Sequence, residues 1–206
     1  MSRRIIAGVD EVGRGALFGP VVAAAAVLPA EVQPSLAQAG VTDSKALSPI
    51  RRAELYSQIR AHAVCAIGVA TVPEIERINV LQATLLAMKR AIYRLDLPPT
   101  QCLIDGNQPI PGLALPQTTM VKGDRRSLAI AAASIVAKVW RDRLIVRLAE
   151  KYPHYDLASN KGYGTPKHQA GLRAFGPTRY HRLSFRTCRE AVLEMSSLGP
   201  EQVRLF

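Results

Sequence analysis

Residues 5–15 read IIAGVDEVGRG, an apolar run that passes through two adjacent acids, Asp10 and Glu11, into a glycine-rich turn. The run predicts a buried strand over residues 5–9. Carboxylates at the end of a buried strand are costly to desolvate unless a positive charge lies nearby. A divalent cation such as Mg²⁺ is a suitable partner because hard cations bind carboxylate oxygens. The alternative is that Asp10 merely ends the strand and that Glu11 is a solvated turn residue.

The length and composition predict one globular domain without a membrane segment. The chain has 206 residues, of which 48% are hydrophobic, and this is enough for a sizeable core. Its longest apolar run, residues 21–28, is too short to span a bilayer, and no signal-peptide pattern opens the chain. Cys65, Cys102 and Cys188 lie far apart, which favours reduced thiols over a zinc site or a disulfide framework. We therefore expect a cytoplasmic, monomeric protein.

The charge of the chain favours a polyanionic partner. There are 27 Lys and Arg residues against 16 Asp and Glu residues, a formal net charge of +11. Residues 151–189 hold eight Lys or Arg residues and a single acid, Asp156. Such a segment is either a solvated face or a groove for a phosphate backbone, and nucleic acid is the commonest polyanion that proteins bind.

Strand and helix signals alternate along the chain. Strands are predicted over residues 5–9, 21–28, 65–72, 101–105 and 118–121. Helices are predicted over residues 80–95, over residues 126–151, and from Pro49 onward with Ser48 as N-cap. This pattern predicts an α/β domain with a mixed sheet. We expect residues 1–150 to form the core, and residues 151–206 to form a basic helical extension of the same domain with a flexible C-terminal tail.

Four acids share one context in this pattern: Asp10, Glu11, Asp105 and Asp124 each end a predicted strand or follow it closely. In α/β sheets, ligands collect at the carboxyl ends of the strands. If the first and fourth strands are parallel neighbours, Asp10 and Asp105 lie side by side and repel each other unless cations bind. Two Mg²⁺ ions about 3.5–4 Å apart would neutralise this cluster and hold a phosphodiester for attack by water.

Each of these acids also has a simpler interpretation. The Asp105–Gly106 pair is an ordinary turn signal, and Asp124 is a suitable cap for the helix that follows it. Adjacent strand residues point to opposite faces, so Glu11 reaches the cluster only if the turn rotates it; otherwise it contributes its carbonyl. Asp43 is a further candidate acid, whereas Asp142, in the middle of a predicted helix, is expected to form an ion pair.

The chain resembles bacterial ribonuclease HII from about residue 5 to residue 190. The matching segments, in the order of the family, are IAGVDEVGRG at 6–15, DSK at 43–45, IDG at 104–106, KGD at 122–124, AAASIVAKV at 131–139, RD at 141–142, KGYGT at 161–165 and HRLSF at 181–185. The resemblance implies a ribonuclease H-like fold, with a five-stranded mixed sheet flanked by helices and a C-terminal helical extension. It also implies metal-dependent hydrolysis, with Mg²⁺ or Mn²⁺, of the RNA strand in RNA–DNA hybrids, and cutting 5′ to single ribonucleotides embedded in duplex DNA.

The resemblance assigns roles to individual residues. It implies that Asp10, Glu11, Asp105 and Asp124 bind the catalytic metals. Residues 13–15 match the segment that contacts the ribonucleotide around its 2′-hydroxyl; these are Gly13, Arg14 and Gly15. Tyr163 matches the aromatic residue that stacks at the RNA–DNA junction. Beyond these, the phosphate or structural contacts are expected from Lys45, Lys161, His168, His181 and Arg182.

The last five residues resemble the short motif by which many bacterial DNA-processing proteins dock on the replication sliding clamp. The motif is Gln202, two variable residues, and then Leu205 and Phe206. Two apolar side chains at a terminus are suited to an apolar pocket on a partner. The alternative is that Leu205 and Phe206 fold back on the core.

Two other functions are compatible with parts of this sequence. One is a nuclease of the same broad fold that acts on DNA, such as a junction resolvase or a transposase-like protein. The Gly-Arg-Gly segment and Tyr163 argue against it, because such proteins do not need to recognise a 2′-hydroxyl. The other is a non-enzymatic, basic nucleic-acid-binding module whose acids merely end strands. EDTA-sensitive cleavage would distinguish both nucleases from this module.

Overall fold

The computed structural model describes residues 4–197 and contains a five-stranded mixed sheet. The strands are β1 (Ile6–Val12), β2 (Val21–Val27), β3 (Val64–Ala70), β4 (Gln101–Asp105) and β5 (Gln117–Met120). Their order across the sheet is β3-β2-β1-β4-β5. β1, β2 and β3 are antiparallel neighbours, whereas β1, β4 and β5 run parallel. The predicted mixed sheet is confirmed, with the first and fourth strands as parallel neighbours.

Helices cover both faces of the sheet. They are α1 (Gln33–Gln38), α2 (Pro49–His62), α3 (Val72–Tyr93), α4 (Leu128–Ala149), α5 (Leu157–Asn160), α6 (Pro166–Phe175) and α7 (Arg186–Ser197). Alternate residues of a strand face opposite sides of the sheet. Val21, Ala23 and Ala25 therefore pack against α3 on one face, and the residues between them pack against α2 and α4 on the other. β2 is therefore buried on both faces, which explains its continuous apolar run. Gly8 allows α4 to pack closely, because a Cβ there would lie 2.1 Å from the Ala129 carbonyl carbon.

β1 is longer than the sequence predicts. A strand that ends at residue 9 is wrong, because Asp10, Glu11 and Val12 continue the ladder opposite residues 22–24 of β2. The two acids therefore lie within the strand, and not after its end. Extended pairing with an alanine-rich partner holds their backbone rigidly, which a turn would not do.

α3 also differs from its prediction. The third strand does not reach residue 72, because the helix begins there and the Glu74 carboxylate accepts a hydrogen bond from Thr71 N–H at 2.8 Å. The predicted start at residue 80 marks a kink, since Asn79 has a φ of 65° and its side chain accepts from the N–H groups of Leu81 and Gln82. The predicted N-cap of α2 is confirmed, because Ser48 Oγ accepts from Arg51 N–H at 3.2 Å.

The helices after α4 pack against the connection between β1 and β2. Phe18 from that connection and Ile145 from α4 pack with Tyr155, Leu172 and Cys188 in a hydrophobic cluster separate from those on the two faces of the sheet. This core places residues 161–164 beside residues 13–18. Within residues 4–197, no helix is long and apolar enough to cross a membrane.

Candidate active site

Three of the four predicted acids converge where β1 and β4 run side by side. One carboxylate oxygen from each of Asp10, Glu11 and Asp105 lies within 4.8 Å of the other two. The parallel pairing of β1 with β4 brings them together, since Val9 lies opposite Ile104 and the next residues are Asp10 and Asp105. Asp10 is only 5% exposed, so the cluster extends into the protein.

Burial and mutual repulsion make the ionised form of these carboxylates unfavourable unless a cation lies nearby. Burial raises the pKa of Asp10 well above its usual range, and the charges of Glu11 and Asp105 raise it further. Burial also raises the pKa of Glu11, although Arg14 opposes this shift from 3.3 Å. Three oxygen donors that share one concave position are the ligand type that hard divalent cations prefer. The residues present therefore fit a Mg²⁺ or Mn²⁺ site.

The Glu11 side chain contributes to the cluster directly. Its carboxylate lies with those of Asp10 and Asp105, and its backbone N–H donates to Asp10 Oδ1 at 2.7 Å. Of the two routes open from the sequence, the side chain is therefore the one that this geometry presents to a metal. The same carboxylate also accepts a hydrogen bond from Arg14 Nη1 at 3.3 Å.

Asp124 lies beside the cluster, outside the group of three. It sits in a short 3₁₀ turn over Gly123–Arg125, and Gly123 N–H donates to Asp105 Oδ1 at 2.7 Å. Burial raises the pKa of Asp124, and the charges of Asp43 and Asp105 add to this shift. Ser127 caps α4 by accepting from Ile130 N–H at 3.5 Å, so the helix does not need Asp124 as its cap.

The two other acids have partners of their own. Asp43 accepts from Lys45 N–H at 2.9 Å and from Arg125 at 2.9 Å; these bonds outweigh burial and lower its pKa. Asp142 pairs with Lys138 Nζ at 2.9 Å, which confirms the expected ion pair. Neither acid belongs to the three-carboxylate group.

One groove joins Asp10 and Glu11 to all five predicted substrate contacts. It is lined by Asp10 and Glu11 together with Gly13, Arg14, Gly15, Lys45 and Tyr163. Ser134 and Lys138 of α4 line the same groove, and sequence reasoning missed both of them. Their spacing of four residues on a helix that begins just after Asp124 is the signal that points to them. Lys138 Nζ lies 5.9 Å from the centre of the Tyr163 ring.

A buried pair of histidines holds the segment that carries Tyr163. His168 Nδ1 contacts the Tyr163 carbonyl at 2.9 Å, and His168 Nε2 lies 3.0 Å from His181 Nε2. Thr178 N–H donates to His181 Nδ1 at 2.9 Å, so His181 carries its proton on Nε2 and His168 on Nδ1. Both are neutral, because burial lowers the pKa of His168 and lowers that of His181 to about 3, with a contribution from His168. These two residues are structural and do not face a phosphate.

Arg182 and Lys161 are also occupied within the protein. Arg182 is fully buried and donates to the Gly19 carbonyl at 2.8 Å, so it makes a structural contact. Lys161 is half-buried and its Nζ donates to the Ala158 carbonyl. Lys45 and Arg14 are exposed, and they remain the basic side chains that reach the solvent side of the groove.

Comparison with known proteins gives a consistent result. A family model described as Ribonuclease HII matches residues 7–188. The chain is 62% identical over 192 residues to a ribonuclease HII of Trichodesmium erythraeum, an alignment that covers 93% of this chain and 91% of that one. It is similar to the ribonuclease H2 structure from Pyrococcus horikoshii, with a TM-score of 0.79, 26% identity, and coverage of 94% and 100%. It is also similar to a chain of the PCNA:RNase HII complex from Archaeoglobus fulgidus, with a TM-score of 0.76, 28% identity, and coverage of 88% and 95%.

Proposed function

The chain belongs to the ribonuclease HII family of metal-dependent endoribonucleases, which degrade RNA in RNA–DNA hybrids, and we propose that it also cuts 5′ to single ribonucleotides embedded in duplex DNA. The products are a 3′-hydroxyl and a 5′-phosphate. One observation carries the proposal: Asp10 and Glu11, whose carboxylates cluster with that of Asp105, line a groove together with the turn at residues 13–15 and Tyr163.

The acids hold the metals in this proposal. Asp10, Glu11 and Asp105 are the first ligands, and Asp124 joins them from the adjacent turn. Two Mg²⁺ or Mn²⁺ ions, when bound, supply positive charge for the phosphodiester and for the attacking water. Burial of Asp10 and its hydrogen bond from Glu11 N–H keep the ligand atoms fixed before substrate arrives. Ser134 and Lys138 support the same wall of the groove from α4.

The turn and Tyr163 supply selectivity. One ribonucleotide within DNA differs from its neighbours only in a 2′-hydroxyl, which both donates and accepts a hydrogen bond. Gly15 is exposed and no described atom lies within 4 Å of where its Cβ would stand, so the backbone there is open to close approach by the sugar. Arg14 is exposed and suited to the adjacent phosphate, and the Tyr163 ring offers a flat face to the sugar and base.

A single cleavage assay tests this function. The substrates are a DNA duplex with one internal ribonucleotide and an all-DNA duplex of the same sequence, each with Mg²⁺, Mn²⁺ or EDTA. We expect one cut, on the 5′ side of the ribonucleotide, only with metal, and none with Asp10→Asn. Asp96→Asn, an exposed acid outside the groove, is the matched control and keeps full activity. Equal cutting of the all-DNA duplex would instead favour a DNA nuclease of the same fold.

We further propose that the C-terminal residues Gln202, Leu205 and Phe206 bind a sliding clamp. They lie outside the residues that the structure describes, and the support is their sequence together with the similarity to a chain of the PCNA:RNase HII complex. Deleting residues 202–206 is expected to abolish binding to a bacterial clamp in surface plasmon resonance while leaving hydrolysis of free duplex unchanged. Clamp binding that survives the deletion contradicts this role.

A further inference from the structure

Two arginines are buried beneath the substrate-reading turn. Arg141 and Arg182 are both 0% exposed, and within residues 4–197 neither forms an ion pair with an acid. Burial lowers the pKa of each, and the charge of Arg141 helps to lower that of Arg182 to about 9. A guanidinium keeps its proton in proteins, so both side chains are charged. A buried charge without an opposite charge needs another source of stabilisation.

Backbone carbonyls provide that stabilisation. All three nitrogens of Arg141 donate, at 2.9–3.1 Å, to the carbonyls of Phe18, Pro20 and Lys161. All three nitrogens of Arg182 donate as well, two to the Gly19 carbonyl and one to the Arg14 carbonyl at 2.8 Å. The bonded carbonyls lie almost entirely in one segment. It is the connection between β1 and β2, residues 13–20, which begins with the turn.

The same segment is bound to the Tyr163 side of the groove. Leu17 N–H and Phe18 N–H donate to the Gly162 carbonyl at 2.8 and 3.2 Å. Arg141 reaches both sides, because it bonds Lys161 and its Cζ lies 5.7 Å from the centre of the Tyr163 ring. The turn rests directly on this guanidinium, since a Cβ on Gly13 would lie 2.2 Å from Arg141 Nε.

The bond from Arg182 to Arg14 also sets the direction of the next amide. In a planar trans peptide, the C=O and the following N–H point in opposite directions. Because the Arg14 carbonyl points inward to Arg182, the Gly15 N–H points away from the core. Gly15 is exposed and lines the groove, and its N–H makes no hydrogen bond to the described part of the chain.

We propose that Arg141 and Arg182 are positioning residues for ribonucleotide recognition, because together they fix the turn at residues 13–15 against the Tyr163 segment. The proposal rests on the function proposed above. Lysine is not a substitute: its single ammonium cannot bond carbonyls in the fixed fork geometry of a guanidinium, and a buried ammonium loses its proton more readily. Arg→Lys at either position therefore loosens the turn, whereas the exposed basic side chains of the groove, Arg14 and Lys45, stay in place to attract DNA.

The test measures discrimination in binding, separately from catalysis. Fluorescence anisotropy is recorded without cleavage in the Asp10→Asn background, on a duplex with one ribonucleotide and on an all-DNA duplex. The readout is the dissociation constant for the all-DNA duplex divided by that for the duplex with one ribonucleotide. We expect Arg182→Lys and Arg141→Lys to lower this ratio on the order of tenfold, and to change affinity for the all-DNA duplex by less than about twofold. Arg94→Lys is the matched control, because Arg94 also donates to a backbone carbonyl, that of Ile67, but lies far from the groove.

Each other outcome is informative. An equal loss of affinity for both duplexes, or an unchanged ratio in a folded variant, overturns the proposal. A variant without a cooperative thermal transition also overturns it, because Arg182 would then determine folding and not recognition. Failure of the proposed function looks different: the Asp10→Asn parent itself would then bind the two duplexes equally.

Discussion

Two groups of like charges lie close to the turn at residues 13–15, an acid cluster and a pair of buried arginines, and the fold treats them in opposite ways. Asp10 is buried and Glu11 and Asp105 are half-buried beside it, and the ion pair between Arg14 and Glu11 offsets part of their repulsion. Arg141 and Arg182 are buried more deeply, yet every guanidinium nitrogen bonds a carbonyl. The acids thus need a cation from solution to balance their charge, whereas the chain's own carbonyls stabilise the arginines. This difference is expected if the acids bind metal and the arginines position the turn beside them, as proposed.

The largest effect is expected from removing one acid. Asp10→Asn takes away a metal ligand, so cleavage of the single-ribonucleotide duplex should fall by about three orders of magnitude or more. The fold should not suffer: the pKa of Asp10 is raised, so its ionised form destabilises the metal-free protein at neutral pH. We therefore expect an equal or higher melting temperature in EDTA by calorimetry. A marked loss of stability would contradict the view that the acid cluster is electrostatically incomplete.

The opposite result is expected from removing one arginine. Arg141→Met leaves the carbonyls of Phe18, Pro20 and Lys161 buried without a donor, at a cost of about 3 kcal/mol or more in the free energy of unfolding. Urea denaturation measures this loss, and Arg94→Met is the exposed control. A stability equal to that of the parent would show that these carbonyls do not depend on the guanidinium.

Metal binding should stabilise the folded protein only when the acid cluster is intact. With Mn²⁺ at about 100 times its dissociation constant, we expect a gain of about 2.7 kcal/mol, which appears as a higher melting temperature. Asp105→Asn should reduce the gain, and Asp96→Asn should keep it. A gain that persists without Asp105 would place the ion elsewhere.

The smallest effect concerns pH and the histidine pair. The folded-state pKa of His181 lies at about 3 and that of His168 is lowered as well, below the usual value of about 6.5. Between pH 3 and pH 6.5 the unfolded chain therefore binds more protons than the folded protein. The stabilisation of the folded state that is present above pH 6.5 is lost as the pH falls toward 3. In the Asp10→Asn background we expect a loss of about 1–2 kcal/mol between pH 7 and pH 5. His181→Gln should flatten this slope, and an unchanged slope would exclude the pair as its cause.

Sequence patterns predicted the sheet and the acids because both follow from local rules. The order of strands and helices predicts a mixed sheet, and parallel pairing of the first and fourth strands brings Asp10 beside Asp105. The extent of β1 was missed because it depends on pairing with β2, and nothing within residues 5–15 carries that information. The apolar run followed by a glycine-rich turn suggested that the acids end the strand, whereas pairing with β2 extends the strand through them.

The positioning role of Arg141 and Arg182 could not be predicted from the sequence in the same way. Arg141 bonds residues more than a hundred positions earlier, and Arg182 bonds Arg14 across 168 positions. Their partners are backbone carbonyls, which every residue has, so no residue type marks the contact. Arg182 was expected to make a phosphate or structural contact, and only its complete burial separates the two. Ser134 and Lys138 were missed for the related reason that their role depends on which face of α4 meets β1.

β1 carries Asp10 and Glu11 near its end and runs directly into the turn at residues 13–15, which lines the same groove. An extended strand advances about 3.3 Å per residue, so the three steps from Asp10 to Gly13 span at most about 10 Å. If the acids bind the metals and the turn contacts the sugar, as proposed, the strand fixes the distance between the two. A one-residue insertion between them would turn one set of side chains to the other face and lengthen this distance at the same time. On this proposal, the offset between the recognised ribonucleotide and the cut bond is set by the covalent geometry of the backbone.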